Sequence, residues 1–336
     1  MSQETSCKRK YSGIGGQAVM EGVMMRNGDN YAVAVRKSDG EIEVMTDEYK
    51  GLLPSDTVKK IPLLRGVISF VDSLVLGLKA LNFSADFFVE EDEKDGEKKP
   101  EKKPEEKDKK SAGEMIMTTV VMIIAMIIAI GLFMVIPYFA SLLFEKYIPN
   151  PHLLALVEGV IRLLIFIAYI KAISMMNDIK RVFMYHGAEH KCINCIESGK
   201  PLTVENVRSS SKEHRRCGTS FLLYVMVISI LFFALIDTPD RMLKVVLRIV
   251  LIPLIAAVSY EFIRLSGKFD NPFTRVLSMP GLAMQALTTS EPDDEMIEVG
   301  IKSVDSIFDW REYLNENFGL KLEKTVSDMD EVQKEA

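Results

Sequence analysis

The chain has 336 residues, 48% of them hydrophobic and 26% charged, with a net charge of −6. That is too apolar and too segmented for an ordinary soluble enzyme, and the charge balance gives no reason to expect a nucleic-acid partner. Its four cysteines do not make a disulfide scaffold; three lie close to histidines, which reads as metal ligation or reactive thiols on a reducing face.

Met1 to Lys10 is polar and lacks the apolar core of a signal peptide. Gly15-Gly16-Gln17 suggests a tight backbone turn more than a hydrolytic tripeptide of the release-factor kind. Tyr31 to Arg36 and Glu41 to Met45 alternate with period two around Ser38-Asp39-Gly40, which predicts a β-hairpin. From Leu63 to Val89, apolar residues return at helical spacing (Val67, Phe70, Val71, Leu74, Leu78, Leu81), as in an amphipathic helix lying on a membrane surface or covering the sheet. Residues 1–89 therefore form a small α+β unit. Residues 90–112, almost all Glu, Lys, Asp and Pro, bury nothing and read as a disordered charged tether.

Residues 113–268 hold four segments of transmembrane character: Met115 to Phe144, Leu153 to Met176, Thr219 to Ile236 and Met242 to Leu265. Pro137 is a kink point in the first. Glu158 and Arg162 are i,i+4 partners in the second. The connection from Asn177 to Gly218 carries Lys180, Arg181, Lys191, Lys200, Arg208, Lys212, Arg215 and Arg216, against Lys146 alone between the first two spans. The positive-inside rule puts that connection and both termini in the cytoplasm. In residues 269–336, Pro292 and Asp293 start a helix running through Trp310 to Leu314, followed by a loose acidic end. The fold class is thus an α-helical multi-pass membrane protein of about four transmembrane helices, with a small α+β cytosolic portion. Its solvent partner is the lipid bilayer, and oligomeric state is left open.

The chemistry concentrates in His186-Gly-Ala-Glu189-His190. On a helix the two imidazoles stack at i and i+4 on one face. The pattern matches H-x-x-E-H of inverted zinc hydrolases, with His186 and His190 as ligands of zinc or another divalent metal and Glu189 as the catalytic base that takes a proton from water. Such a site needs a third protein ligand and an open position. Glu261, a carboxylate at the cytosolic end of the last span, is the first choice, with Glu205 and His214 as rivals. A competing grouping, Cys192-x-x-Cys195 with His214-x-x-Cys217, has the spacing of a closed structural zinc site. Cys195 and Cys217 are also possible redox thiols beside Lys191, Arg215 and Arg216. The bland alternative for His186 and His190 is two polar residues on an exposed helix. Glu21 and Arg26 are weak candidates for supporting contacts.

Several phrases carry a family resemblance. They are Gly15-Gly-Gln-Ala-Val-Met-Glu-Gly-Val-Met-Met-Arg26, Tyr185-His-Gly-Ala-Glu-His-Lys191, Leu202-Thr-Val-Glu-Asn206, Arg216-Cys-Gly-Thr-Ser-Phe221 and Leu287-Thr-Thr289 with Glu291-Pro-Asp-Asp294. Together they resemble the YqhQ-like family of bacterial multi-pass membrane proteins, which carry a domain of unknown function. The resemblance covers nearly all of the chain outside the tether. It implies a metal-dependent enzyme in the bacterial cytoplasmic membrane. The family pattern also implies an aromatic residue at position 196, which here is Ile196, and no cysteine at 192, which leaves Cys192 the weakest ligand candidate. Two functions are therefore expected. One is a membrane-bound zinc-dependent hydrolase or peptidase with its metal site at the cytoplasmic face. The other is a non-catalytic scaffold or assembly factor with a structural metal, partnering membrane-protein biogenesis machinery. A transporter lined by Glu158, Arg162, Lys171, Arg248 and Glu261 ranks last, because four spans show no inverted repeat.

Overall fold

A computed structural model describes residues 9–52, 61–92, 112–236, 238, 240–268 and 272–323. Cys7, the tether from 93 to 111 and the acidic end from 324 lie outside the described residues. Four strands, β1 Ile14–Val19, β2 Gly22–Asn27, β3 Asn30–Arg36 and β4 Ile42–Glu48, pair antiparallel in the order β1-β2-β3-β4. The expected hairpin is β3–β4, turning at Gly40 with φ +88°. Gly15-Gly16-Gln17, expected as a tight turn, lies instead in β1, the first strand of a second hairpin that turns at Met20 and Glu21, where Glu21 is left-handed with φ +47°.

The sheet is covered on both faces. Val19, Met24, Tyr31, Val33 and Val35 point to one side and pack on Leu76 and Ala80 of α1, Leu64–Asp92. Ile14, Val23, Met25 and Ala34 point to the other, in the alternation that the strand pleat imposes. There they meet α5 (Asn177–Glu197), α11 (Asp294–Asp305) and α12 (Trp310–Phe318). The helix expected to run from Asp293 through Leu314 is thus two helices. Asp293 caps the first, accepting from the Met296 amide at 2.8 Å, and Asp309 caps the second.

Six of the remaining helices form a bundle: α3 (Ile136–Leu142), α4 (Pro151–Ile173), α7 (Gly218–Ala234), α8 (Arg241–Val250), α9 (Ile252–Lys268) and α10 (Pro272–Thr288), while α2 (Ala112–Ile130) leads into it with its apolar side chains exposed. Between α5 and α7 lies α6, Val204–Arg208. α2 runs into α3 through a π-helical turn, Gly131–Val135. Pro137 has no N–H for the carbonyl four residues back, so the ladder widens where the kink was expected. Pro253 lies at the start of α9, where α8 and α9 meet at a bend of 42°. Two described helices are long and apolar enough to cross a membrane, Thr119–Leu142 and Pro151–Ile173, or three if the bent pair is one span. The expected span Thr219 to Ile236 is an apolar helix of 17 residues, at the short end of the roughly 17–25 residues that cross a bilayer. It stands at the centre of the bundle, packed against α4, α9 and α10. α10, which sequence patterning left unassigned, also belongs here; Gly281 takes the Ser220 side chain against its backbone.

α5 joins the two halves. Every residue from Tyr185 to Glu197 is buried, so the connection expected as a loop, with an exposed helix at most, is the core of the non-bundle half. A helix enclosed on all sides needs small residues where other backbones cross it. At Gly187 a Cβ would lie 2.1 Å from the Ser290 carbonyl oxygen. Gly187→Ala should therefore destabilise the fold by about 3 kcal/mol or more, because the obstructing atom is backbone and cannot rotate away. Gly15→Ala, with no atom near its added carbon, should be close to neutral. Thermal unfolding of the two variants in detergent checks the contrast, and equal melting shifts would contradict it.

Candidate metal centre

The buried stretch of α5 is rich in polar side chains, and a buried polar group needs a partner. Most find theirs on the segment after α6. Lys191 Nζ donates to the carbonyls of Arg208 (2.9 Å) and Ser210 (3.0 Å), and Asn194 Nδ2 to those of Ser211 (2.7 Å) and Glu213 (2.9 Å). His190 Nδ1 bonds the Lys212 carbonyl at 2.6 Å. This ladder lays residues 208–213 along the helix and delivers His214 and Cys217 to it. Gln285 of α10 clamps the backbone of His214, accepting from its N–H at 2.8 Å and donating to its carbonyl at 2.7 Å.

His186, His190 and Cys217 come together as a result. Their ligand atoms lie within 4.8 Å of one another, and all three residues are buried. His186 Nε2 is 3.1 Å from Cys217 Sγ. His186 Nδ1 faces the Thr288 carbonyl at 2.9 Å, as His190 Nδ1 faces that of Lys212. A carbonyl only accepts, so both Nδ1 atoms carry a proton, and Nε2 is the atom each ring has left to offer a lone pair to the cluster. His190 Nε2 is buried without a hydrogen-bond partner among the described residues. Cys217 caps α7, its sulfur accepting from the Thr219 amide at 3.3 Å. Two imidazole nitrogens and one thiol sulfur, converging with one nitrogen unpartnered, are a donor set that suits zinc.

Glu189 lies beside the trio, its Oε2 3.9 Å from His186 Nε2. Burial pushes its carboxyl up to about 7, with His186 pulling the other way. Gly16 of β1 explains how it is buried. A Cβ there would meet Glu189 Cγ at 2.7 Å and the Met24 carbonyl oxygen at 2.7 Å, so the strand closes over the carboxylate only as glycine.

The other expected ligands are elsewhere. Glu261, the favoured third ligand, is held by Arg65 of α1 through two bonds of 2.6 and 2.5 Å, because a carboxylate on the bundle takes the nearest guanidinium. His214 is next to the trio, its ring 5.6 Å from that of His190, but its Nε2 faces Arg216 at 3.2 Å and Glu197 at 3.8 Å. Burial lowers His214 to about 4, against the pull of Glu197. Burial also works to raise Glu197, but His214, Arg216 and the Ser12 amide outweigh it and hold the carboxyl below its usual range. Cys195 lies on another face of α5, its thiol 3.4 Å from the Pro201 carbonyl, and Cys192 faces Gly300 of α11. Burial pushes Cys195 up to about 11, against Ser210 and Lys200, and Cys192 well above its ordinary value. The closed four-ligand grouping is therefore not assembled, since its two α5 thiols face away from Cys217, and neither thiol has thiolate character. Glu205 is exposed at the first turn of α6. Glu21 binds α5 through Arg181 and the Tyr185 hydroxyl, whereas Arg26 stays within its own hairpin on the Gly28 and Tyr49 carbonyls. Gln285, Lys212 and Thr288 were missed, because backbone carbonyls and a clamp on a backbone leave no ligand-type signature in sequence.

A family model described as "Protein of unknown function (DUF1385)" matches residues 61–310. The chain belongs to this family. It is also 36% identical over 294 residues to "Uncharacterized protein YqhQ" of Bacillus subtilis (strain 168), covering 87% of this chain and 91% of that protein. No solved structure matches. The DUF1385 match spans α5, Cys217 and Thr288, so the whole cluster lies within the family's own region.

The carboxyl of Glu189 gives a pH prediction for the metal-free protein. Folding raises its pKa from 4.5 to about 7, so the native state holds a proton that the unfolded chain has released, and stability falls as pH rises through that window. Glu189→Gln has no such proton. Relative to wild type it should gain up to about 3 kcal/mol between pH 4.5 and 8. Denaturant unfolding at both pH values measures this, and parallel profiles for the two proteins would contradict it.

Proposed function

We propose that this protein is a membrane-embedded, zinc-dependent hydrolase with its metal site at the cytoplasmic face of a bacterial membrane. The observation that carries the reading is the buried, unpartnered His190 Nε2, set within ligand distance of His186 Nε2 and Cys217 Sγ. His186, His190 and Cys217 would hold the ion and leave one position for a reactant. Zinc so held supplies Lewis acidity toward an oxygen. Glu189, poised near neutral pH beside His186, accepts a proton from attacking water at its carboxylate and returns it to the leaving group. The Thr288 and Lys212 carbonyls fix the two imidazole rings, and β1 keeps bulk water off the Glu189 carboxyl. Bilayer placement rests on the large exposed apolar side chains of α2, such as Ile124, Ile127 and Ile128, and on the basic residues around α5 and α6.

One observation favours the second reading, a non-catalytic scaffold for membrane-protein partners. All three ligand residues are buried, as in closed structural sites. An ion there would tie α5 to the start of α7.

Elemental analysis of purified protein tests the metal. Wild type should carry about one zinc per chain, lost in His186→Ala and Cys217→Ala and retained in Cys195→Ala and Glu189→Gln. Equal metal in all five proteins would refute the assigned ligands. Complementation of a strain that depends on the protein separates the two functions. Glu189→Gln, metal-loaded, should fail if the site hydrolyses and succeed if it only staples.

A further inference from the structure

A second set of buried charges gathers at the end of the bundle away from the histidines. Glu158 and Arg162 of α4 and Arg248 of α8 are 3%, 3% and 2% exposed. Arg162 donates to Glu158 Oε1 at 2.7 Å and to Ser229 Oγ at 3.0 Å, and Arg248 Nη2 donates to Glu158 Oε2 at 2.6 Å. One carboxylate thus faces two guanidiniums, which stay protonated in proteins, and among the described residues a surplus positive charge is left in a buried place. The faces of Tyr138 and Phe233 lie 5.0 and 5.3 Å from Arg248 Cζ and offset part of that charge. They leave its N–H groups unmet: Arg248 Nε and Nη1 are enclosed and have no hydrogen-bond partner among the described residues. Arg248 and Glu158 line a cavity of about 280 Å³, whose wall also carries Lys244 and Glu145, a pair that cancels in charge.

We propose that this cavity binds a singly charged oxyanion of the phosphodiester class, drawn to the Arg248 guanidinium that lines it. The charge matches: a phosphodiester carries one negative charge, as does the monoanion that makes up a large part of inorganic phosphate near neutral pH. The volume exceeds what a halide needs. The neighbouring α3–α4 connection exposes Leu143 and Tyr147 (77% and 79%), the surface an acyl chain would follow. An anionic lipid headgroup and a soluble phosphate share this chemistry. The lipid source rests on the bilayer placement proposed above; the anion site does not, and resistance to carbonate extraction tests that placement separately.

The test uses the full chain in detergent. Melting is followed with short-chain phosphatidylglycerol, phosphatidylcholine of equal chain length and inorganic phosphate, and native mass spectrometry counts retained phosphatidylglycerol. Wild type should be stabilised by phosphatidylglycerol over phosphatidylcholine. Arg248→Gln should bind about tenfold more weakly or worse, as expected for losing charge-assisted hydrogen bonds. Glu158→Gln, which enlarges the surplus charge, should bind several-fold tighter, and it decides the matter if Arg248→Gln fails to fold. Stabilisation by phosphatidylglycerol alone identifies a lipid headgroup, and stabilisation by inorganic phosphate alone a soluble oxyanion. No anion effect on wild type, or equal effects on wild type and Glu158→Gln, overturns the proposal.

Discussion

A helix buried on every side must satisfy its polar side chains inside the protein, and α5 carries six buried ones in thirteen residues: His186, Glu189, His190, Lys191, Asn194 and Glu197. Each unsatisfied polar atom there costs on the order of 1–3 kcal/mol. The segment from Arg208 to Glu213 exists in its observed form because its carbonyls meet that demand. Once those bonds are made, little freedom remains in where His214 and Cys217 fall. Among the described residues, α5 keeps two buried side-chain atoms without a hydrogen-bond partner, Asn194 Oδ1 and His190 Nε2, and the second stands in the cluster with the Glu189 carboxyl close by. A ring fixed through Nδ1 while its Nε2 stays unmet is how a ligand is preorganised.

Close approach of other backbones is the second consequence of that enclosure. β1 crosses over Glu189 at Gly16, and the chain after α10 crosses at Gly187. These contacts couple the cluster to distant parts of the sequence. The β1–β2 hairpin seals it, the end of α10 orients His186 through Thr288, and α7 offers Cys217 at its first turn. Three separate elements are thus needed to build a site whose two histidines are four residues apart.

α7 also links the two polar centres of the bundle. Cys217 caps its start, and near its end Ser229 accepts from Arg162. The centres differ in what they offer. The histidine cluster presents lone pairs, which suits a metal. The arginine triad presents guanidinium N–H groups and a surplus of positive charge, which suits an oxyanion.

The sequence by itself determined the local facts. Period-two alternation around Ser38-Asp39-Gly40 gave the β3–β4 hairpin, helical spacing gave α1 and the long apolar helices, and Asp293 marked the start of α11. The i,i+4 spacing put His186 and His190 on one face, and Glu158 next to Arg162. Each of these depends on neighbours within a turn or a strand pair, where backbone geometry alone sets the outcome. Tertiary structure decided the rest. Spacing could not tell that Cys217 joins the histidines while Cys195 and Glu261 do not, because that depends on which face of α5 the carbonyl ladder covers and on Arg65 capturing Glu261. Nor could it show that Gly15-Gly16-Gln17 is a strand closing on Glu189, or that α5 is enclosed rather than exposed. Its mixed polarity reads as a solvated surface until the carbonyls that satisfy it are brought in from residues 208–213 and Thr288.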